Sequence, residues 1–280
     1  MTTIPSSADE ATQLLDATKS TDSKSSAEEA HVFGPLLGFQ TLNQVINWHK
    51  VTSLAVFVGA CAFAGSMNLA SLIYTAMHGA YGLIWCMKYQ ISPDKSFEDK
   101  IRTKVDFFVS WLILGTLYWS GGLMTILTKG TNVVGGLTLG LPATNAAIQS
   151  GTYGVQLAVA IFLFTIGMYM HFVADAHKFF VLKERKGLMA KREETPPGLI
   201  TDGLFARTRN PNYLGEMIIY TGFALCANNI VLVASNLLMW STLFRVNMLK
   251  KDKSLSRHKG FDEYQKRTNL LLPRLFPSST

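Results

Sequence analysis

Charged residues are scarce in this sequence of 280 residues, because they make up 16% of it whereas hydrophobic residues make up 48%. Long hydrophobic blocks with almost no Asp, Glu, Lys or Arg cover residues 51–87, 107–128, 151–173 and 217–244. Blocks of this length predict membrane-spanning helices. A large soluble helical bundle is the alternative, and the length of the blocks argues against it.

Cysteine is also rare, and Cys61, Cys86 and Cys226 lie isolated in hydrophobic segments. Their spacing fits neither a disulfide framework nor a metal site, so we predict no bound metal. The sequence contains no Asn-X-Ser/Thr glycosylation acceptor, which agrees with small exposure on a lumenal side. The net charge is +7, but no nucleic-acid-binding module accompanies it, so we expect no nucleic acid partner.

The first 34 residues contain no hydrophobic run and are rich in Ser, Thr, Ala, Asp and Glu. This composition predicts a disordered acidic tail over residues 1–34, followed by a membrane domain over residues 35–280. The tail resembles neither a signal peptide nor a conventional transit peptide. It is a candidate segment for binding partners in a membrane-protein complex.

The remaining sequence predicts an all-α fold, a polytopic membrane helical bundle of about six transmembrane helices. Turns are expected at residues 65–68 and at Asn228-Asn229. Trp48, His49 and Lys50 are interpreted as an interfacial anchor. The predicted spans cover residues 51–66, 69–88, 105–128, 151–173, 213–227 and 230–247.

Positive charge is concentrated in three segments, namely residues 89–104, a predicted long basic loop over residues 176–209, and the C-terminal tail. With six spans, all three segments fall on the same side of the membrane. An even number of spans, with both termini on the positively charged side, is therefore predicted.

The most informative segment is ARTRNPNYLGE, residues 206–216. A helix that begins at Asn210-Pro211 exposes its first N–H groups and its positive dipole end, which suit an anion. Arg207 and Arg209 can bind phosphates next to it. An interfacial flank is the alternative interpretation of these four residues, since arginines often end a span and Asn-Pro often starts a helix.

The same segment places Asn212 and Glu216 four residues apart, so both lie on one face of the predicted helix. A carboxylate inside a hydrophobic membrane segment is costly and therefore indicates a functional site. An interfacial flank does not account for this pair.

The segment GLFARTRNPNYLGE, residues 203–216, resembles a segment shared by membrane reductases of the steroid 5-alpha-reductase-like superfamily, which includes sterol C-14 reductases. Isoprenylcysteine carboxyl methyltransferases and phospholipid N-methyltransferases carry a related segment, usually with Arg-His-Pro at its centre. This chain has Asn210 where most relatives have His. The resemblance extends in patches over residues 77–277.

Three further segments are similar to the reductase-like branch. Residues 174–178, ADAHK, match an Ala-Asp-x-x-Lys feature, and residues 78–88 match a His-Gly-x-Tyr-Gly-x-x-Trp element. The tail over residues 251–273 is similar to the closing segment of that branch.

The resemblance implies a cofactor-binding half at about residues 174–277, with NADPH as the cofactor of a reductase or S-adenosylmethionine as that of a methyltransferase. Glu216 stands at the position of an acid in the reductases. Lys250-Lys251 stand where the methyltransferases have an acidic pair, and cations favour a phosphate-rich dinucleotide over a sulfonium. The implied cofactor-binding residues are Asp175, Lys178, Arg207, Arg209, Asn212, Tyr213, Glu216, Asp252 and Tyr264.

Tyr81 and His78 lie one helical turn apart. In the steroid reductases a tyrosine beside a histidine protonates the substrate oxygen, so the resemblance implies that Tyr81 is the catalytic acid and that His78 orients it. An aromatic belt at the membrane interface is the alternative for Tyr81.

Together these features predict an oxidoreductase that uses NADPH to reduce a carbon–carbon double bond in a steroid-like or other lipid. The substrate would enter from the bilayer, among membrane lipids, in the endoplasmic reticulum or in a mitochondrial inner membrane. Two alternatives remain open. One is an S-adenosylmethionine-dependent methyltransferase of a lipid or of isoprenylcysteine, and the other is a non-catalytic membrane subunit of a larger complex.

Overall fold

A computed structural model describes residues 41–93, 101, 103–127, 151–190 and 198–274 of the chain. The predicted acidic tail over residues 1–34 lies outside the described residues. So does the polar segment over residues 129–150, which separates the third and fourth predicted spans.

Eight α-helices account for most of the described residues, and the only extended pairing among those residues is an isolated bridge between Thr208 and Asn269. The all-α prediction is therefore confirmed for this part of the chain. A 3₁₀ helix over Gly203–Ala206 precedes the α-helix over Pro211–Ala227, and a π-helical turn over Trp240–Phe244 joins the α-helices over Ile230–Met239 and Arg245–Leu255. The helices are α1 (Leu42–Ala64), α2 (Leu69–Ile91), α3 (Lys104–Leu127), α4 (Thr152–Ala190), α5 (Pro211–Ala227), α6 (Ile230–Met239), α7 (Arg245–Leu255) and α8 (Phe261–Arg267).

Three helical stretches are long and hydrophobic enough to cross a membrane, namely Leu42–Ala64, Tyr153–Met189 and Ile230–Leu255. Helix α3 bends by 47° between its parts Lys104–Thr116 and Trp119–Leu127, and it adds a fourth stretch if the two parts form one broken span. These stretches indicate a helical membrane protein.

Helix ends follow the local sequence signals. The side chain of Thr41 caps the first turn of α1, and Gly65 ends that helix in a left-handed conformation with φ 59°. The side chain of Asn68 then caps α2. At the other predicted turn, Asn228 ends α5 with φ 50°, and Asn229 caps α6. Both predicted turns are confirmed.

Two sequence predictions are wrong in the described region. Residues 176–190 continue helix α4 and are not part of a basic loop, because they contain no proline and are rich in strong helix formers. The residues interpreted as an interfacial anchor lie inside α1, which begins earlier, at Leu42. His49 and Lys50 are 0% and 2% exposed, so the neighbouring helices cover them.

Helices α4 and α5 approach each other closely because small residues line their contact. A β-carbon added at Gly167 would lie 2.7 Å from the carbonyl oxygen of Gly215, and one at Gly222 would lie 2.8 Å from that of Ala160. A β-carbon at Gly215 would clash with the backbone nitrogen of His171. Small residues permit this kind of backbone approach in membrane helix pairs. The contact places the middle of α4, which carries His171, beside the first turns of α5.

Candidate functional site

Five ionisable side chains from four helices form what we call the inner polar cluster. In the cluster, Lys88 Nζ lies 3.0 Å from Asp175 Oδ2, and the same oxygen lies 3.9 Å from His171 Nε2. Lys50 interacts electrostatically with Glu216 and with Lys88. Buried charges are stable when they are paired, so Asp175 compensates Lys88, while the ammonium of Lys50 is attracted by Glu216 and repelled by Lys88. The cluster comprises Lys50 of α1, Lys88 of α2, His171 and Asp175 of α4, and Glu216 of α5.

Tyr81, the predicted catalytic acid, is 1% exposed and lies beside this cluster. Lys50 Nζ lies 3.8 Å from the centroid of the Tyr81 ring and 4.3 Å from that of the Trp85 ring. The carbonyl of Lys50 touches the Cα of Gly82 so closely that a β-carbon there would clash with it. This contact between α1 and α2 fixes the Lys50 backbone over the predicted acid.

His78 lies in an aromatic cage, within electrostatic reach of Lys50. Its ring centroid is 5.0 Å from that of Phe57, 5.7 Å from that of Tyr74 and 4.8 Å from that of Phe223. It meets Tyr81 edge-on, with 6.4 Å between the ring centroids. His78 Nδ1 has no hydrogen-bond partner among the described residues. The structure therefore brings His78 and Tyr81, the predicted catalytic pair, into ring contact. The Lys50 ammonium lies closer to the Tyr81 ring than the His78 ring does.

The first two turns of α5 carry Asn212, Tyr213 and Glu216. The backbone carbonyl of Asn212 lies 3.2 Å from His171 Nδ1, while its buried side-chain Oδ1 has no hydrogen-bond partner within the described part of the chain. Glu216 Oε1 accepts a hydrogen bond of 3.3 Å from the Tyr220 hydroxyl. The ring of Tyr213 packs edge-on against another aromatic side chain, that of Phe244. A buried amide oxygen without a partner is a feature that a bound ligand would explain.

Arg209 forms an internal ion pair with Asp252. Arg209 Nη2 lies 2.8 Å from Asp252 Oδ2, and Nη1 donates to the carbonyl oxygen of Thr268 at 2.9 Å. The Tyr264 hydroxyl donates to the carbonyl oxygen of Phe205 at 2.9 Å, and burial raises the pKa of Tyr264 to about 12, so it stays a donor at neutral pH. These three predicted cofactor residues hold the C-terminal part of the chain onto the start of α5.

The final described segment, residues 268–274, lies along residues 207–210. Thr208 Oγ1 donates to the carbonyl oxygen of Leu271 at 2.6 Å, and Asn210 Nδ2 donates to that of Leu270 at 2.9 Å. The exposed Arg207 donates to the carbonyl oxygen of Arg274 at 3.1 Å. Asn210 is therefore a fully buried contact between the two segments.

A cavity of about 160 Å³ lies beside this junction, between α4, the segment over residues 198–205, α7 and α8. Lysine, arginine and histidine side chains form part of its wall, and Leu, Ile, Phe and Tyr side chains form most of the remainder. Its volume suits a phosphate group with a small attached moiety more than a complete dinucleotide. The basic lining residues are Lys178, Arg209, Lys251 and His258.

The profile of a family described as "Protein of unknown function (DUF1295)" matches residues 113–268 of the chain. The chain belongs to the DUF1295 family. No curated protein matches it. The DUF1295 match covers most of α3 and all helices from α4 to α8, so it includes the cavity and the α4 and α5 residues of the inner polar cluster.

The DUF1295 structure thus places eight of the eleven predicted site residues in two groups. Asp175, Asn212 and Glu216 lie at or next to the inner polar cluster, with Tyr81 beside Lys50. The second group lies at the cavity or at the junction that forms its wall, and it comprises Lys178, Arg209, Asp252 and Tyr264.

Sequence reasoning did not identify Lys50, Lys88 or His171 as site residues. Lys50 and Lys88 immediately flank the uncharged block over residues 51–87, and this position was the available signal. A lysine at the end of a hydrophobic block more often marks the membrane interface, so the signal alone did not distinguish the two roles.

Proposed function

We propose that this DUF1295 protein is a membrane-embedded, NADPH-dependent reductase of a carbon–carbon double bond in a steroid-like or other lipid. The observation that supports this proposal most directly is the position of Tyr81. This buried phenol lies under the ammonium of Lys50, which interacts with Glu216 on the predicted cofactor helix α5. The resemblance to the steroid 5-alpha-reductase-like superfamily supports the same reaction.

The residues at the two places suit different parts of an anionic dinucleotide cofactor, and the cavity by itself would hold only a phosphate end of it. The unpartnered Oδ1 of Asn212 can accept a hydrogen bond from a ligand, and Glu216 lies one turn further along the same helix face. Lys178 and Lys251 at the cavity can neutralise phosphate charge. NADPH, when bound, would supply the hydride for the reduction.

Tyr81 would donate its phenolic proton to the substrate oxygen as negative charge develops there. Proton donation from a positioned, buried phenol stabilises such a charge more effectively than water does. We propose that the substrate reaches Tyr81 from the bilayer, towards which the neighbouring Leu83 of α2 is exposed.

We also propose six membrane spans, in which α2 and α5 join α1, α3, α4 and the α6–α7 stretch. Helix α2 has 23 residues, so its length of about 34 Å covers a hydrocarbon core of about 30 Å. Helix α5 has 17 residues, at the lower limit for a span. The resemblance favours the endoplasmic reticulum membrane, with a mitochondrial inner membrane as the alternative.

A non-catalytic membrane subunit is the second candidate function. The observation that favours it is the internal bonding of Arg209, Asp252 and Tyr264, which joins their side chains to the protein itself. Partners of such a subunit would be other membrane proteins, bound with the help of the N-terminal tail.

Cofactor binding to the purified protein in lipid nanodiscs tests these proposals. Energy transfer from the protein's tryptophans to bound NADPH measures the affinity for NADPH. Equilibrium dialysis with labelled S-adenosylmethionine measures the affinity for that cofactor. The reductase proposal predicts saturable NADPH binding and none of S-adenosylmethionine. The reverse result would establish the methyltransferase alternative. Binding of neither, together with stable copurification of other membrane proteins, would favour the non-catalytic subunit.

A further inference from the structure

The buried lysine of α1, Lys50, has surroundings that its sequence position does not explain. Its side chain is 2% exposed, and its ammonium lies over the rings of Tyr81 and Trp85 at 3.8 and 4.3 Å from their centroids. Burial of an ammonium group inside a helical bundle costs free energy, so a buried lysine at such a position indicates a function. The attraction between a cation and aromatic faces is strongest when water is excluded, as it is here.

Two contacts between α1 and α2 hold this arrangement in place. The carbonyl of Lys50 packs against Gly82, where a β-carbon would clash with it. One turn away on each helix, Trp85 Nε1 donates to Asn47 Oδ1 at 3.0 Å. These two contacts hold the backbone of α1 at Lys50 against α2, next to the Tyr81 ring that the ammonium covers.

We infer that Lys50 is the positioning residue for Tyr81, with an ammonium that stabilises the negative charge left on the phenol oxygen after proton donation. This inference rests on the proposed reductase function. The cage of aromatic rings around His78, which meets Tyr81 only edge-on, assigns this role to Lys50 instead of to the predicted histidine.

Proton donation by Tyr81 accompanies hydride addition to an unsaturated ketone. Addition of a hydride to the β-carbon of an unsaturated ketone moves the double-bond electron pair onto the ketone oxygen. The O–H bond of Tyr81 then breaks, and its proton passes to that oxygen. The phenolate that remains lies beside Lys50, whose opposite charge favours it until a proton returns from solvent. The enol formed on the lipid rearranges to the saturated ketone.

A fluorescent naphthol steroid, equilenin, provides a test that needs no turnover. Its ionised naphtholate resembles the enolate of the lipid, and its emission differs from that of the neutral naphthol. We expect the wild-type protein to bind equilenin largely as the naphtholate. Lys50→Met, which removes the charge at similar length, is expected to lower the bound naphtholate-to-naphthol ratio by about tenfold or more. Lys50→Arg is expected to retain most of it.

Two tyrosine variants provide the matched comparison. Tyr81→Phe is expected to lower the naphtholate ratio, because the phenol that shares the charge is lost. Tyr74→Phe removes the hydroxyl of another buried tyrosine of α2, whose ring stacks on His78, and is expected to leave the ratio unchanged. In turnover of a steroid 4-en-3-one, Lys50→Met is expected to lower kcat while KM changes little, since Lys50 acts on charge that develops during the reaction.

The inference is overturned if the wild-type protein binds equilenin only as neutral naphthol, a measurement that does not depend on the folding of any variant. It is also overturned if folded Lys50→Met keeps the wild-type ratio. NADPH binding separates the two proposals. Naphtholate emission without NADPH binding would contradict the reductase alone, whereas NADPH binding without naphtholate emission would contradict the role of Lys50 alone.

Discussion

Arg209 and Asp252 form a buried forked ion pair, with Arg209 Nε 3.0 Å from both carboxylate oxygens and Nη2 2.8 Å from one of them. The pair joins the residue before α5 to helix α7, and the same guanidinium donates to the carbonyl oxygen of Thr268. The Arg209 side chain therefore holds together three separate segments of the C-terminal part of the chain.

Removal of this arginine is expected to destabilise the protein. Arg209→Ala leaves the Asp252 carboxylate, whose side chain is 14% exposed, without its main partner. Breaking one side of a buried ion pair costs about 3–5 kcal/mol. The expected result is a lower midpoint of thermal unfolding and faster protease cleavage of the C-terminal segment.

The neighbouring arginine provides the control for that experiment. Arg207 is exposed and donates to the carbonyl oxygen of Arg274, so Arg207→Ala is expected to change stability by about 0.5 kcal/mol or less. Equal destabilisation by the two substitutions would contradict a special role for the pair with Asp252.

The close contact of α4 with α5 gives a second prediction. Gly167→Ala places a β-carbon 2.7 Å from the carbonyl oxygen of Gly215 and 2.7 Å from the backbone nitrogen of Ile219, so the helices must separate. Such overpacking costs about 1–3 kcal/mol. Gly154→Ala in the same helix meets open space and gains helix propensity. Urea unfolding in mild detergent should show opposite signs for the two variants.

Local signals in the sequence were sufficient to predict much of the fold. The start of α5 at Pro211 and the turns at Gly65 and Asn228 follow from residues whose own backbone preferences determine the conformation. The hydrophobic blocks identified the helices, and residues 176–190 were missed because a loop was inferred from their charge. Charge is compatible with a helix that extends beyond the membrane.

The partners of the site residues could not be predicted in the same way. Whether Lys50 faces a lipid headgroup or Tyr81 depends on how α1 crosses α2 at Gly82, which is a contact between helices and not a local preference. Likewise, Arg209 has the same sequence signal whether it binds a phosphate or Asp252. Only the packing of distant segments distinguishes these cases.

The buried ion pair between Lys88 and Asp175 gives a third prediction. These side chains lie 3.0 Å apart, on α2 and α4. Lys88→Met and Asp175→Asn are each expected to lower the free energy of unfolding by about 3–5 kcal/mol, because each leaves a buried charge without its closest partner. The double variant is expected to lose less than the sum of the single losses. A double-mutant cycle by urea unfolding measures this coupling, and additive losses would exclude a direct interaction.

Asn212 gives the prediction that separates ligand binding from stability most clearly. Its Oδ1 is buried and has no hydrogen-bond partner among the described residues, so Asn212→Ala removes no protein hydrogen bond at that oxygen and should change the unfolding free energy little. Loss of one hydrogen bond to the cofactor is expected to weaken NADPH binding by about tenfold.

Asn229→Ala, at the far end of α5, is the control. It removes the cap of α6 and should cost about 1 kcal/mol of stability without changing NADPH affinity. Fluorescence titration and thermal unfolding of both variants measure the two effects, and an Asn212→Ala protein that is destabilised but binds NADPH normally would show that this amide is structural.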